Sequence, residues 1–339
     1  MARPTTRTAT YEAPPNIALV KYWGVRDRER ALPYNSSLSV TLERMRSRTT
    51  VRFDPGLTDD QVRLNGEIAS GGPRDGVVRF LDLVRERAGS TDGAVVRSDN
   101  NFPTASGLAS SASGFAALAG AATRAAGLRL SERALSQLAR FGSGSASRSV
   151  FGGFVEWQAG HRSDGSDCYA RPLYPAGHWR TLVDLVVLVR AAPVKEVRSQ
   201  DAMQRTVATS PAYAARLAEV PGRIARIRRA IGARDPERLF PLVMEECDSF
   251  REVCETTRPS LDYLTATSRA VLGEVRALNR DAGRSIAAYT HDAGAHVHVF
   301  TLERALPTVR RRLARLPGVE KTLALHAGPG AHELAGGSN

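Results

Sequence analysis

The stretch Ser98–Ala116, with the sequence SDNNFPTASGLASSASGFA, constrains the fold of this chain more than any other segment. It crosses Pro103 into a run of Gly, Ala and Ser, and an Ala-rich segment to about Ala126 then predicts a helix. A Gly/Ser loop that opens a helix gathers unpaired backbone N–H groups at the positive end of the helix dipole. Such a site suits a phosphate group, although small residues also let helices pack closely. No Lys-Ser/Thr follows the glycines, so the loop is not a Walker A motif.

Composition places the chain among globular proteins. Its 339 residues are 42% hydrophobic and 24% charged, which allows two domains. Apolar runs such as Leu182–Val189 are too short to span a bilayer, and residues 1–13 lack the apolar centre of a secretory signal. The three cysteines contain no CxxC pair, which favours neither a disulfide framework nor a zinc site. We therefore predict a cytoplasmic enzyme or binding protein that has no membrane partner.

The net charge of +12 raises the question of nucleic-acid binding. The densest basic clusters, Arg223–Arg234 and Arg310–Arg315, fall on predicted helix faces without interleaved aromatic residues. Solvated helix faces explain them equally well, so we predict no nucleic-acid partner and leave a small anionic ligand open. Only three of the 47 basic residues are lysines, and Lys21 is one of them. A compact point charge at this position is therefore of interest.

Hydrophobic periodicity predicts an α+β protein. Strands are predicted at 16–23, 35–42, 48–53, 62–64, 94–97, 154–158, 182–190, 285–290, 296–302 and 319–325. Helices are predicted at 74–88, at 131–141 with Ser131 as the candidate cap, at 305–316, and over most of 199–280 with breaks near Pro221 and Pro259. The order at the end of the chain suggests a ferredoxin-like arrangement. We predict domains at 1–190 and 191–327 and a tail at 328–339.

Two clusters of polar residues near glycines could bind anions. Lys21 and Tyr22 place a cation beside a phenol at a predicted strand end, although a snorkelling Lys beside a half-buried Tyr is equally consistent. In the turn 142–153, Ser143 and Ser145 flank Arg148, whose guanidinium would bind a carboxylate or phosphate bidentately. A tight turn with one surface Arg is the alternative for this second cluster.

Asp292 lies in a predicted turn between two strands, and Asp-x-Gly is common turn chemistry. His291, His296 and His298 surround it, which makes a metal site conceivable. No fourth ligand accompanies them, so we predict no metal ligands here.

Taken together, six segments resemble one family, the mevalonate diphosphate decarboxylases of the GHMP kinase superfamily. They occur in family order across nearly the whole chain: NIALVKYWG (16–24), LPYNSSLSVTL (32–42), NNFPTASGLASSASGFAAL (100–118), GSGSASRSVFGG (142–153), MQRTVATS (203–210) and AYTHDAG (288–294). The resemblance implies an N-terminal α+β nucleotide-binding domain, a C-terminal ferredoxin-like α/β sandwich domain and a homodimer. It also implies that ATP, with Mg²⁺, phosphorylates the tertiary hydroxyl of a 3-hydroxy acid, which then loses phosphate and CO₂ to give an alkene.

The resemblance also implies roles for individual residues. The catalytic residues would be Asp292, Lys21, Arg148 and Ser111. The substrate would be bound by Tyr22, Ser143, Gly144, Ser145, Arg148 and Met203. ATP would be bound by Asn100, Gly107, Leu108, Ala109, Ser110 and Ser111.

Several positions depart from the family pattern. Val25 replaces a lysine associated with the substrate diphosphate, and Arg26, Arg74 or Arg251 could compensate for it. Departures also occur at His291, Ala295, His296 and Arg251. We expect mevalonate 5-diphosphate as substrate. Alternatives are mevalonate 5-phosphate or another 3-hydroxy acid, a kinase that does not decarboxylate, and a non-catalytic nucleotide- or nucleic-acid-binding module.

Overall fold

The computed structural model of the chain describes residues 7–102, 110–190, 197 and 199–335. The strands are β1 (Arg7–Ala13), β2 (Asn16–Val20), β3 (Val25–Asp27), β4 (Leu32–Pro33), β5 (Ser37–Thr41), β6 (Ser47–Asp54), β7 (Gln61–Leu64), β8 (Glu67–Ile68), β9 (Gly93–Asn100), β10 (Phe154–Trp157), β11 (Ala170–Tyr174), β12 (Leu182–Val189), β13 (Ala287–Thr290), β14 (Val297–Leu302), β15 (Val319–Leu325) and β16 (His332–Glu333). The helices are α1 (Gly71–Ala88), α2 (Ser110–Ala125), α3 (Glu132–Ala139), α4 (Ala146–Ser149), α5 (Ser199–Thr209), α6 (Tyr213–Ala233), α7 (Pro236–Glu255), α8 (Ala266–Ala282) and α9 (Leu306–Leu313), with a short 3₁₀ helix at Ala176–Trp179.

The N-terminal half is built on a six-stranded sheet in the order β16-β1-β6-β9-β7-β8. Helix α1 buries Val77, Phe80, Leu81 and Val84 against this sheet, at the spacing of one helix face. Helix α2 is rich in Ala, Gly and Ser, and it approaches β1 so closely that a Cβ on Gly120 would overlap the Tyr11 ring. The small residues of α2 therefore do serve close packing.

A second sheet, in the order β11-β10-β5-β2, separates two environments. Leu38 and Val40 of β5 enter an apolar core that they share with C-terminal helices. Ser37 and Ser39, which alternate with them along the strand, point the other way and are also buried. Strand β5 thereby presents hydroxyl groups to a buried polar region.

The third sheet has the order β13-β14-β12-β15, and its pairs are antiparallel. In chain order this is the 2-3-1-4 arrangement of a ferredoxin-like βαββαβ unit, with α8 and α9 packed on one face. The predicted α+β class and ferredoxin-like C-terminal half are confirmed. Strand β12 pairs with β14 and β15, so its hydrogen bonds lie with the C-terminal half although the predicted boundary at residue 190 follows it. The position of that boundary stays a prediction.

One local prediction is wrong. Pro221 lies inside α6 instead of breaking it, and its exposed position lets water solvate the carbonyl group left unpaired one turn earlier. The predicted tail contains β16, which pairs with β1. The predicted cap at Ser131 is confirmed, since its side chain accepts a hydrogen bond from the Ala134 N–H. Among the described residues, no helix has the length and apolarity needed to cross a membrane.

Candidate active site

A cleft of about 940 Å³ lies between the two halves of the chain. Its walls come from the end of β2, from α1, the start of α2, the turn 141–145, α4, α5, α7 and the turn after β13. Eight of the predicted site residues in the N-terminal half therefore face the same space as Met203 and Asp292 of the C-terminal half.

Lys21 and Asp292 meet in this cleft although 271 positions separate them in sequence. The Lys21 ammonium donates to Asp292 Oδ1 over 2.7 Å and to the Ala18 carbonyl oxygen over 2.8 Å. The Lys21 side chain is 3% exposed and that of Asp292 is 26% exposed, so the carboxylate is the member of the pair that reaches the open cleft.

The charge state of Asp292 follows from this pair. Burial alone would raise the pKa of Asp292, but the Lys21 ammonium more than offsets that effect and holds the pKa below its usual value. An ionised carboxylate with one oxygen bonded to a cation retains the other oxygen as a proton acceptor. His291, the next residue back, donates from Nδ1 to the Asp292 carbonyl oxygen over 2.8 Å and fixes the turn.

Arg148 lies on the short helix α4, which forms another wall of the same cleft, and its side chain is buried. Its Nε donates to Asn16 Oδ1 and to Ser39 Oγ, each over 3.0 Å, and its Nη1 donates to Ser37 Oγ. Burial lowers the pKa of Arg148 to about 10, which still leaves the guanidinium charged at neutral pH. Since Nη2 makes no hydrogen bond within the described residues, the cation has a donor left for a ligand in the cleft.

Sequence reasoning missed Asn16, Ser37 and Ser39 as the groups that hold Arg148. A signal was present, because polar residues alternate with Leu38 and Val40 in a strand that is buried throughout. Buried hydroxyl groups at every second position require hydrogen-bond partners.

Gly144 permits the close approach of two rings to the turn between α3 and α4. A Cβ at this position would lie 2.7 Å from Tyr22 Cε1 and 2.8 Å from Trp157 Cη2. Tyr22 packs edge-to-face on Trp157, with ring centroids 4.8 Å apart, and this burial raises the pKa of its hydroxyl. The phenol is therefore a neutral donor that lines the cleft.

The start of α2 and the turn 141–145 are joined by hydroxyl groups. Ser111 Oγ lies 3.4 Å from Ser143 Oγ, and Ser143 Oγ lies 3.1 Å from Ser145 Oγ. Ser110 and Ser111 form the first turn of α2, where backbone N–H groups lack helical acceptors. The helix start can therefore bind an anion in the cleft.

The other predicted site residues have different outcomes. Met203, on α5, lines the cleft. Asn100 ends β9, where its side-chain oxygen accepts a hydrogen bond from Ser47, and the residues that line the cleft do not include it. Gly107, Leu108 and Ala109 lie outside the described residues.

The three arginines expected to compensate for the missing lysine at position 25 bond to other groups of the protein. Arg26 donates to carbonyl oxygens of the loop 159–162, Arg74 to the Asp60 carbonyl oxygen, and Arg251 pairs with Asp248. Arg28 and Arg79 do line the cleft, and sequence reasoning singled out neither of them.

The three histidines near Asp292 have separate partners, and that of His291 is the Asp292 carbonyl oxygen. His296 Nδ1 accepts from the Val189 N–H over 3.2 Å, and His298 Nδ1 lies 2.7 Å from Asp184 Oδ2. Within the part of the chain that the structure describes, no three His, Cys, Asp or Glu side chains are grouped to hold a metal ion.

The GHMP kinase class of fold is defined by an N-terminal α+β half and a ferredoxin-like half, with the start of a helix in the cleft between them. Residues 13–170 match the family model "Diphosphomevalonate decarboxylase-like N-terminal domain", and residues 185–329 match "Mevalonate 5-diphosphate decarboxylase C-terminal domain". The chain belongs to the diphosphomevalonate decarboxylase family.

Individual relatives agree with this assignment. The chain is 42% identical to the diphosphomevalonate decarboxylase of Ganoderma lucidum over 86% of this chain and 78% of that protein. It superposes with a TM-score of 0.91 and 35% identity on the mevalonate diphosphate decarboxylase of Staphylococcus aureus, covering 98% of this chain and 99% of that one. A protein designated MDDEF, solved in complex with MVAPP, AMPPCP and magnesium, matches with a TM-score of 0.90, 38% identity and coverage of 97% and 99%.

Proposed function

We propose that this chain is an ATP-dependent decarboxylase that converts mevalonate 5-diphosphate to isopentenyl diphosphate. ATP phosphorylates the tertiary hydroxyl group, and the phosphorylated intermediate then loses phosphate and CO₂. Family membership and the relative solved with MVAPP and AMPPCP support the substrate pair. The observation that carries the proposal is the Lys21–Asp292 pair, which shares one cleft with Arg148 and the start of α2.

In the first step, Asp292 is the proton acceptor. Its carboxylate is held ionised by Lys21, so it can orient the tertiary hydroxyl group and take its proton as the oxygen bonds to the γ-phosphorus. The bond between that phosphorus and the β-bridging oxygen breaks, and ADP leaves. Lys21 stabilises the negative charge that develops beside Asp292.

In the second step, Arg148 holds the substrate carboxylate. The electrons of the carbon–carbon bond to the carboxylate form the double bond, CO₂ departs, and phosphate leaves with the electrons of the carbon–oxygen bond. Because Asn16 and Ser39 fix the guanidinium beforehand, little ordering remains to be done when substrate binds.

The phosphate groups of ATP fit the start of α2. Ser110 and Ser111 supply backbone donors and hydroxyl groups there, and we assign Asn100, Gly107, Leu108 and Ala109 to the same site from the resemblance. Mg²⁺ fits this site as a partner of the nucleotide, because it is commonly held by phosphate oxygens and water with few protein carboxylates. When bound, it neutralises charge on the phosphates.

The substrate's phosphate end is assigned to Tyr22, Ser143, Gly144, Ser145 and Met203. The hydroxyl groups of Tyr22, Ser143 and Ser145 and the backbone at Gly144 suit phosphate oxygens. A second candidate substrate is mevalonate 5-phosphate, or another 3-hydroxy acid, because Val25 is apolar and Arg26, Arg74 and Arg251 are engaged elsewhere.

One assay separates these functions. Purified protein is incubated with ATP and mevalonate, its 5-phosphate or its 5-diphosphate, and ADP and CO₂ are measured together. We expect equal release of ADP and CO₂, fastest on the diphosphate. Faster turnover of another acid would identify that acid as the substrate. Release of ADP with a stable phosphorylated product and no CO₂ would identify the protein as a kinase.

We further propose that the protein is cytoplasmic and forms a homodimer, as the family resemblance implies. Sedimentation equilibrium of the purified chain tests the second point, and a single species of 36.6 kDa would contradict it.

A further inference from the structure

The main chain of Lys21 is held by three side chains, two of which come from the C-terminal half. Lys21 is the first residue beyond β2, where pairing with β5 has ended. Its N–H donates to Glu246 Oε1 over 2.8 Å, and its carbonyl oxygen accepts from Arg216 Nη2 over 3.3 Å and from Asn35 Nδ2 over 2.9 Å. Both polar groups of this peptide segment are therefore satisfied by side chains instead of by a sheet.

Glu246 and Arg216 form a bidentate pair in the interior. Arg216 Nη2 donates to Glu246 Oε1 over 2.6 Å, Arg216 Nη1 donates to Oε2 over 3.0 Å, and Arg223 Nη1 donates to Oε2 over 2.6 Å. The Glu246 side chain is 0% exposed and that of Arg216 is 1% exposed. Burial alone would raise the pKa of Glu246, but Arg216 more than offsets it, so the pKa stays below its usual value and the carboxylate is ionised.

Such a pair is costly to bury, and apolar residues of similar volume often stabilise a fold equally well. Here the carboxylate and one guanidinium both bond to the residue whose ammonium lies 2.7 Å from Asp292. Neither Glu246 nor Arg216 is among the residues that line the cleft, so they do not touch a ligand there.

We propose that Glu246 and Arg216 are positioning residues for the reaction: they fix the main chain of Lys21 so that its ammonium stays on Asp292. The proposal rests on the proposed function for the roles of Lys21 and Asp292. Through this pair, the packing of α6 and α7 sets the geometry of a residue at the end of β2.

The direct test is Glu246→Gln, which keeps the shape of the side chain and removes its charge. Without the bidentate ion pair, the Lys21 segment loses its fixed position, and we expect kcat to fall by about ten- to a hundredfold. We expect KM for both substrates to stay within about threefold, because the cleft wall is unchanged. Glu246→Asp keeps the charge and should recover part of kcat.

A second readout follows from the titratable and charged groups that face Asp292, which are Lys21, Arg148, His291 and His298. If the Lys21 ammonium withdraws, Asp292 loses its main stabilising partner, and the acidic limb of the kcat profile moves to higher pH. A crystal structure of the variant should place Lys21 Nζ more than about 4 Å from Asp292, beyond ion-pair distance.

Glu156→Gln is the matched control. Glu156 is likewise buried and accepts hydrogen bonds from two arginines, Arg171 and Arg228, but it does not line the cleft. Both variants should lower the melting temperature, whereas only Glu246→Gln should change kcat and the pH profile. If Glu246→Gln does not fold, Glu246→Asp and Arg216→Lys are measured in the same way.

A Glu246→Gln variant with wild-type kcat, an unshifted acidic limb and an intact Lys21–Asp292 contact would overturn the proposal. So would equal losses of kcat in Glu246→Gln and Glu156→Gln. Failure of the proposed function is a separate result, because it would appear as absent decarboxylation by the wild-type protein. In that case the Lys21–Asp292 distance in the variant would still test the positioning role.

Discussion

The guanidinium of Arg148 is oriented by Asn16, because Nε of Arg148 donates to Asn16 Oδ1 over 3.0 Å. The Asn16 amide also donates to Ser149 Oγ over 2.8 Å and to the Ser145 carbonyl oxygen over 3.1 Å. One side chain at the start of β2 therefore connects the arginine to the turn that carries it. This arrangement prepares the cation before substrate arrives.

Replacing Asn16 by Ala should release Arg148 without removing its charge. We expect kcat/KM for decarboxylation to fall by about ten- to a hundredfold, because one buried hydrogen bond to a charged group is lost. Steady-state CO₂ release measures it. Asn279→Ala is the control, since Asn279 also bonds to main-chain groups but does so beside β13, outside the cleft. Equal activity losses in the two variants would contradict a specific role for Asn16.

Gly144→Ala should displace Tyr22, because the added Cβ would lie within 3 Å of both the Tyr22 and Trp157 rings. We expect a rise in KM for the acid substrate of about tenfold, which corresponds to roughly the strength of one hydrogen bond to a charged group, and little change in KM for ATP. Gly114→Ala is the matched variant, because a Cβ on Gly114 meets nothing within 4 Å. A normal KM in Gly144→Ala would remove Tyr22 from the substrate site.

Arg28 is a candidate for the cation that replaces the missing lysine at position 25. It lines the cleft, and its partner Asp201 is as exposed as Arg28 itself. Because the Arg28 side chain is exposed to solvent, which weakens its interaction with a phosphate, Arg28→Gln should raise KM for the diphosphate only about two- to fivefold. The effect on KM for the monophosphate should be smaller. Arg251→Gln serves as the control, since Arg251 pairs with Asp248 and does not line the cleft. The same KM change for both substrates would refute a role in selecting the diphosphate.

His291 should make the protein sensitive to acid. Burial lowers its pKa to about 4, whereas an unfolded histidine titrates near 6.5. The unfolded chain therefore binds the proton first as the pH falls, and the free energy of unfolding decreases by about 1.4 kcal/mol per pH unit between about 6.5 and 4.

His291→Phe should lessen this decrease, as urea unfolding at pH 7.5 and pH 5.0 would measure. His296, whose pKa burial also lowers to about 4, remains in the variant and keeps part of the effect. The control is His161→Gln, which removes an exposed histidine. An equally steep loss in His291→Phe would assign the acid sensitivity to other groups.

Local patterns in the sequence were sufficient for most elements. The face of α1, the cap at Ser131 and the final strand-helix-strand order follow from hydrophobic spacing and short-range hydrogen bonds. Pro221 was misinterpreted because the exposure of one helix position is a tertiary property.

The site was only partly predictable for the same reason. Lys21 and Asp292 stand out by residue type and turn context, and the family resemblance joined them. Glu246 lies 225 positions from Lys21 and has no local signal, since a charged residue on a helix is normally solvated. Its partners become visible only when the two halves of the chain are packed together.

The central claim is that Asp292 accepts the proton of the substrate hydroxyl group during phosphoryl transfer. Asp292→Asn keeps the size of the side chain and its contact with Lys21 but removes the base. The decisive measurement is CO₂ release from mevalonate 5-diphosphate by this variant, alongside its affinity for a non-hydrolysable ATP analogue. We predict a loss of kcat of at least about a hundredfold with ATP-analogue affinity within about threefold of wild type. Decarboxylation at the wild-type rate by Asp292→Asn would contradict the account.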